Sequence, residues 1–259
     1  MRLELLFPVY NEHKRLEAGI RKAGAYLEEL CLDQEFEDVS WHFMIIDNGS
    51  VDDTAEIGKR LEKEDPDRIS FVFIPEKGLG AAFRYGVKAV NADPGTVPGE
   101  RTVTGYMDID LSTDLEALER TIRLFKEDPE TVYVNGTRFA PDSKTIGRKW
   151  YRKITSAGLV FLLRHYLKMK VTDALCGFTF IEAGEAYRLV NECTNDNGWF
   201  YMVELLLRAE RHGLKVTDLP VTFTEDYNST VNIPETVRNY LVRMRRLKRE
   251  FRKEDASKD

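Results

Sequence analysis

Residues 102–114 read TVTGYMDIDLSTD, and the change of character inside that stretch decides the fold. Its first half is an apolar, β-prone run. Its second half places Asp108, Asp110 and Asp114 within seven residues. Like charges that close repel unless something neutralises them. The acids therefore mark the end of a buried strand and a place where a counter-charge is expected.

Working outward, the same succession of apolar run and polar turn recurs. Residues 3–9 read as a short buried strand, followed by a helix over about 12–30 with Leu16, Ile20, Ala23, Leu27 and Leu30 at helical spacing. "WHFMIIDNGS" (41–50) is a strand entering a turn, with a helix expected over about 52–64. "ISFVFIP" (69–75) is another strand, and after the glycine-marked turn "EKGLG" (76–80) a helix is expected to about residue 90. A loop, "NADPGTVPGE" (91–100), returns the chain to the opening strand. This alternation predicts an α/β fold, Rossmann-like, with a mostly parallel central sheet and helices on both faces. Ligands of such sheets sit at the carboxyl ends of the strands, near the switch point. Loops 8–12, 47–53, 78–80 and 108–114 all belong there. Capping and ordinary turns account for Asn11, Ser50 and Asp52; they account poorly for Asp108 and Asp110.

Composition narrows the class. With 259 residues and 42% hydrophobic content the chain has material for one substantial core. A net charge of -6 argues against general nucleic-acid binding. Cys31, Cys176 and Cys193 are widely spaced and form no CxxC pair, so neither a disulfide framework nor a zinc site is expected, and a reducing compartment fits. With no cleavable leader and no run of roughly 18 apolar residues, the expectation is a cytoplasmic protein, soluble or peripheral on the membrane.

The pieces "FPVYNE", "IIDNGSVDDT", "GLGAAFRYG", "YMDIDLSTD", "NGTRF", "VTDALCGFTFI", "WFYMVELLLRA" and "LPVTF" follow one another in a telling order. In that order the chain resembles the family-2 glycosyltransferases of the GT-A fold, most closely the dolichyl- or polyprenyl-phosphate glycosyltransferases, over residues 1–230. The resemblance implies an inverting, metal-dependent hexosyltransferase with a nucleotide-sugar donor. "DALCGF" leans the donor toward UDP-glucose over GDP-mannose. Asp110 would ligate Mg²⁺ or Mn²⁺, Asp108 would assist through the ribose or the ion's water shell, and Ser112 lies where some relatives add a metal-facing side chain. Hard cations of this kind take carboxylate, water and phosphate oxygens. Asp114 is expected to cap a helix starting near residue 115.

By the same resemblance, Pro8, Tyr10, Asn11 and Glu12 form the first nucleotide loop, and Asp47 accepts a hydrogen bond from the base. Glu12 also suits a helix N-terminus by its charge. Gly78 and Gly80 stand where the backbone passes close to a ligand or turns tightly. Phe83 takes the place of the third glycine of a dinucleotide fingerprint, which disfavours nicotinamide or flavin chemistry. Arg84 faces this loop or solvates its helix. Arg138 is expected to bind phosphate. Arg148 and Arg152 either bind the donor diphosphate or an acceptor phosphate, or lie on a solvated helix face.

The acceptor is expected to be a polyprenyl or dolichyl phosphate, with two alternatives: a saccharide hydroxyl on a glycan, or no acceptor at all in a non-catalytic sugar-nucleotide-binding module. A sugar hydroxyl needs a positioned base. A phosphate monoester, with a second pKa of about 6, is already anionic. Asp173 and Glu204 match acidic family positions and are candidates for base or acceptor orientation, with a turn-capping role as the plain reading of Asp173. The chain departs from its relatives at Met202, where they carry an aspartate, and at Ser229-Thr230, where the lipid-phosphate enzymes have Ser-Lys. Two segments bear on a membrane. "SAGLVFLLRHYLKMKV" (156–171) reads as an interfacial helix or a core helix. Residues 231–259 read as a basic amphipathic helix with Val237, Leu241, Met244, Leu247 and Phe251 at helical intervals, suited to an anionic surface or to packing on the domain.

Overall fold

The structure, a computed structural model, describes residues 1–93, 99–225 and 233–257. Strands β1 (Arg2–Val9), β2 (Ser40–Asp47), β3 (Ile69–Phe73) and β4 (Thr102–Met107) pair in parallel in the order β3-β2-β1-β4. They are linked by α1 (Leu16–Leu30), α2 (Thr54–Glu64) and α3 (Leu79–Ala92). The chain steps from β1 out to β3 and then returns to the other side of β1 as β4. That reversal opens a crevice at the carboxyl ends of β1 and β4.

The second half continues with α4 (Glu116–Glu127), β5 (Tyr133–Thr137), β6 (Lys144–Ile146), α5 (Trp150–Leu167), β7 (Phe178–Glu182), α6 (Ala183–Glu192) and α7 (Phe200–Arg211). It closes with β8 (Val216–Pro220), β9 (Thr222–Thr224) and α8 (Ile233–Ala256). The full sheet runs β3-β2-β1-β4-β7-β5-β8, with β7 antiparallel to both β4 and β5. β6 and β9 make a separate parallel ribbon beside the crevice.

Alternation along β1 shows why both faces are apolar. Leu3, Leu5, Phe7 and Val9 join the cluster under α1, α2 and α4, whereas Leu6 joins the cluster under α3, α5, α6 and α7. Successive side chains point to opposite faces, so a strand covered on both sides reads as a continuous hydrophobic run. Each fully buried Leu, Ile or Phe contributes about 1.5–3 kcal/mol. α8 packs into the same core: Tyr240, Met244, Leu247 and Phe251 are buried, and the Tyr240 ring stands 5.3 Å from Phe200 of α7. Leu241, expected on that apolar stripe, is instead 37% exposed.

Two local expectations need correction. α1 begins at Leu16, four residues later than its composition suggests, because Asn11 takes a left-handed φ of 55° and the Glu12 N–H donates to Thr54 Oγ1 (2.8 Å), which holds residues 11–15 in a turn. Asp114 does not cap α4. Its carboxylate accepts from the Thr222 N–H (2.6 Å) and from Arg120 Nη2 (2.6 Å), tying the acidic loop to β9.

Candidate active site

The crevice holds a cleft of about 690 Å³, within the size range of small-molecule sites. Its floor comes from the ends of β1 and β4. Pro8, Tyr10, Asn11 and Glu12 line one side, and Asp108, Asp110 and Ser112 the other. Reciprocal hydrogen bonds fix the first loop, since the Asn11 N–H donates to Ser50 Oγ (2.8 Å) and the Val51 N–H donates to Asn11 Oδ1 (2.9 Å). Lys77 Nζ sits 3.6 Å above the Tyr10 ring.

The acidic loop folds back on itself. Leu111 has φ of 50°, a conformation that costs a non-glycine residue roughly 1–2 kcal/mol. The Leu111 N–H donates to the Asp108 carbonyl (3.0 Å), and the Ser112 N–H to Asp110 Oδ1 (2.9 Å). The strained turn is what lets residues 108 and 110 both face the cleft. Solvent reaches Asp108 through the cleft mouth, yet desolvation by its surroundings, and then the charge of Asp110, push its carboxyl up to about 7.

The pair fits a hard divalent cation of a particular kind. Among the described residues no group of three or more His, Cys, Asp or Glu side chains comes together as a metal cage. A cation held by Asp108 and Asp110 must therefore complete its shell with water and ligand oxygens, which is the habit of Mg²⁺. Asp108 also leans on Gly177, where an added Cβ would overlap Asp108 Oδ2. Gly177→Ala is expected to displace the carboxylate and lower kcat/KM about 10²-fold, the order of loss that misplacement by an ångström produces. Steady-state transfer rates check this, and an unchanged rate would separate Asp108 from the chemistry.

Arginines face the acids. Arg138 lines the cleft and grips Asp173 with Nε to Oδ2 at 2.7 Å and Nη2 to Oδ1 at 3.1 Å, in a pair whose side chains are 7% and 0% exposed. Burial works against the Arg138 charge, but Asp173 outweighs it and holds the guanidinium's pKa above its ordinary value. Asp173 also accepts from the Leu175 N–H (2.9 Å) and lies behind the cleft wall. It orients Arg138; it is not placed as a base. Arg148 and Arg152 do not lie along a solvated helix. Arg148 precedes α5, has a side chain 5% exposed, and donates from Nη2 to Ser156 Oγ (2.6 Å). Its Nε is buried with no hydrogen-bond partner among the described residues, and desolvation, with Arg138 nearby, pulls its pKa down. Arg152 pairs with Glu225 (2.6 Å), and Glu225 lies 3.8 Å from Arg148.

Several expected residues lie elsewhere. Glu204 is buried away from the cleft, accepting from the Thr194 N–H, Thr194 Oγ1 and Arg208 Nε, so it anchors α7 and is not placed for chemistry. Gly78 and Gly80 are needed for close approach, but to protein: a Cβ at either would overlap the carbonyl of Asn197 or Asp196. Arg84 clamps the same segment by donating to the Asp196 carbonyl (2.6 Å) and to Asn197 Oδ1. Asp47 lies below the cleft wall with no exposed surface. Its Oδ1 accepts from the Ser50 N–H (2.8 Å), and its Oδ2 has no donor among the described residues. Met202 forms part of the wall, as do Trp199 and Tyr240. Ser229 and Thr230 lie outside the described residues. Sequence reading missed Glu225, which has no motif around it and gains its place only because β9 pairs with β6.

The family model "Glycosyl transferase family 2" matches residues 5–184, and the chain belongs to that family. Its fold is the GT-A fold of these enzymes. Glycosyltransferase AglD of Haloferax volcanii is 28% identical over 232 residues, covering 89% of this chain but only 34% of AglD. Polyprenol monophosphomannose synthase of Mycolicibacterium smegmatis is 25% identical over 222 residues, covering 85% of this chain and 77% of its own length. Among solved structures, glucosyl-3-phosphoglycerate synthase from Mycobacterium tuberculosis, in complex with Mn²⁺, UDP-glucose and phosphoglyceric acid, superposes with a TM-score of 0.62. That match has 16% sequence identity and covers 94% of this chain and 79% of the synthase.

Proposed function

We propose that the protein transfers a hexose, glucose in preference to mannose, from a nucleotide-sugar to a polyprenyl or dolichyl phosphate, with inversion at the sugar carbon. One observation carries this reading: the cleft gathers Arg15, Arg138, Arg148 and Arg152, and among the described residues its only carboxylates without an arginine partner are the two assigned to the cation, Asp108 and Asp110. Its carboxylates besides Asp108 and Asp110 are Glu12 and Glu225, and each is paired with an arginine, Arg15 and Arg152 respectively. Met202, which has no group to take a proton, occupies part of the wall. Among the described residues, a hydroxyl acceptor would meet no unpaired carboxylate beyond the two assigned to the cation. A phosphate acceptor needs none and needs cations instead.

In this scheme loop 8–12 holds the nucleoside, and the fully buried Asp47 supports it through Ser50, whose N–H donates to Asp47 and whose Oγ accepts from the Asn11 N–H. Asp108 and Asp110 would hold Mg²⁺ or Mn²⁺, which when bound supplies Lewis-acid stabilisation of the departing diphosphate. Arg148, whose Nε makes no hydrogen bond among the described residues and stands 3.8 Å from Glu225 Oε2, receives the acceptor phosphate beside Arg138. An acceptor phosphate oxygen forms the new bond to the sugar's anomeric carbon as the bond to the diphosphate breaks, and that electron pair leaves with the nucleotide. The attack comes from the face opposite the leaving group, which inverts the carbon. The named activities of the mannose synthase and of the human dolichyl-phosphate beta-glucosyltransferase, 25% identical over 228 residues, support this class of acceptor.

A thermal-shift series with UDP-, GDP- and dTDP-sugars, each with and without Mn²⁺, tests the donor half. UDP-glucose with Mn²⁺ is expected to raise Tm most, because a ligand at 100 times its Kd stabilises by about 2.7 kcal/mol. Equal shifts with and without the cation would contradict the role given to Asp108 and Asp110.

A further inference from the structure

Away from the cleft, the outer face of α5 exposes a run of large apolar side chains. Trp150, Ile154 and Phe161 are 74%, 63% and 57% exposed. Spaced at four and seven residues they share one stripe of the helix, with the exposed Ala157 and Gly158 between them. The opposite stripe, formed by Leu159, Leu163 and Leu167, is buried in the core. α5 is thus apolar on two sides, and among the described residues only one of them has a partner. Contiguous exposed apolar surface of this kind marks an interaction site.

Charge says what the partner is. In a chain of net charge -6, residues 144–172 contain eight Lys or Arg and no Asp or Glu. Lys153 and Arg164 flank the ridge on one side and are exposed. On the other side α8 approaches, with Lys248 Nζ 3.8 Å above the Tyr166 ring. Arg245 and Arg252, three residues before and four after Lys248, continue that stripe of α8 and are exposed. An apolar ridge between two basic margins matches an anionic bilayer surface, with aromatic and aliphatic side chains among the acyl chains and cations at the headgroups. A second copy of this chain would have to set these like charges against each other.

We propose that α5 lies in the plane of an anionic membrane, inserting Trp150, Ile154 and Phe161, with the basic margins of α5 and α8 on the lipid headgroups. This deepens the lipid-phosphate reading and rests on it for its purpose, though not for its physical basis. Arg152, Thr155, Ser156 and Leu159 of the same helix line the cleft, so docking brings the cleft to the surface where a lipid phosphate would be presented. Among the described residues no helix is long and apolar enough to cross a membrane.

The test uses the full chain and extruded vesicles of phosphatidylcholine with or without phosphatidylglycerol, none containing polyprenyl phosphate. Flotation is expected to show binding about tenfold or more tighter to the anionic vesicles. Brominated acyl chains are expected to quench tryptophan emission in the unaltered protein and much less in Trp150→Phe. The double substitution Ile154→Glu, Phe161→Glu is expected to abolish flotation and leave the UDP-sugar thermal shift unchanged, which shows that the fold and donor site survive. No binding to anionic vesicles, binding that persists in the double variant, or a dimer in solution that the double variant dissolves would each overturn the proposal. Because the vesicles lack the acceptor, failure here leaves the acceptor reading standing. That reading is tested apart, by transfer to a water-soluble short-chain polyprenyl phosphate.

Discussion

Asp110→Ala is expected to abolish cation-dependent binding of the nucleotide-sugar and to cut transfer by about 10³-fold or more. The estimate follows from the several kcal/mol of charge stabilisation that a Lewis acid supplies to a leaving diphosphate, at 1.36 kcal/mol per decade of rate. Among the described residues the Ser112 N–H is the hydrogen-bond donor that Asp110 accepts from, and the turn that presents it stores strain at Leu111. Such strain persists where the surrounding structure over-determines it, and it clusters at functional sites. Alanine removes the carboxylate without touching the core, so folding should be preserved. Calorimetric titration of UDP-glucose with and without Mn²⁺ checks the outcome. Unchanged affinity would remove Asp110 from the ligand set.

Arg138→Ala is expected to be the most destabilising change in the site. It strands the Asp173 carboxylate with no exposed surface and no cation, and breaking a buried pair from one side costs about 3–5 kcal/mol. For a chain of this size that corresponds to a fall in Tm on the order of 10 °C. Replacing both members, as in Arg138→Met with Asp173→Leu, removes the stranded charge and should recover most of the stability. Transfer should stay lost in the double variant, because the cleft no longer carries that guanidinium. Urea denaturation read beside transfer rates separates the two roles. A double variant that is stable and active would show that the pair serves packing alone.

The parts of the molecule legible in the sequence share one trait: their chemistry changes abruptly along the chain. β1 and β4 are largely apolar runs that end in polar loops, so both the strands and the position of residues 8–12 and 108–112 at their carboxyl ends could be read directly. What escaped reading depends on partners distant in sequence. Asp173 reads, from its match to an acidic family position, as a base, an acceptor-orienting group or a turn cap; the Leu175 N–H bond bears out the cap, and only the fold reveals Arg138 gripping the same carboxylate across 35 positions. Glu204 misled in the same way, its partners Thr194 and Arg208 being hidden in a turn and a helix. Gly78 and Gly80 signalled close approach correctly, but a missing Cβ does not say whether ligand or protein backbone approaches. α5 defeated periodicity because both its faces are apolar, one for the core and one for the outside.

The account stands most directly on the identity of the nucleophile. Incubation of the protein with radiolabelled UDP-glucose and Mn²⁺ in the presence of polyprenyl phosphate, free polyprenol and a soluble glycan, each offered separately, measures it. Label should move only to the polyprenyl phosphate, giving an acid-labile lipid-linked sugar, with no product on the alcohol or the glycan. Transfer to the glycan with none to the phosphate would contradict the account.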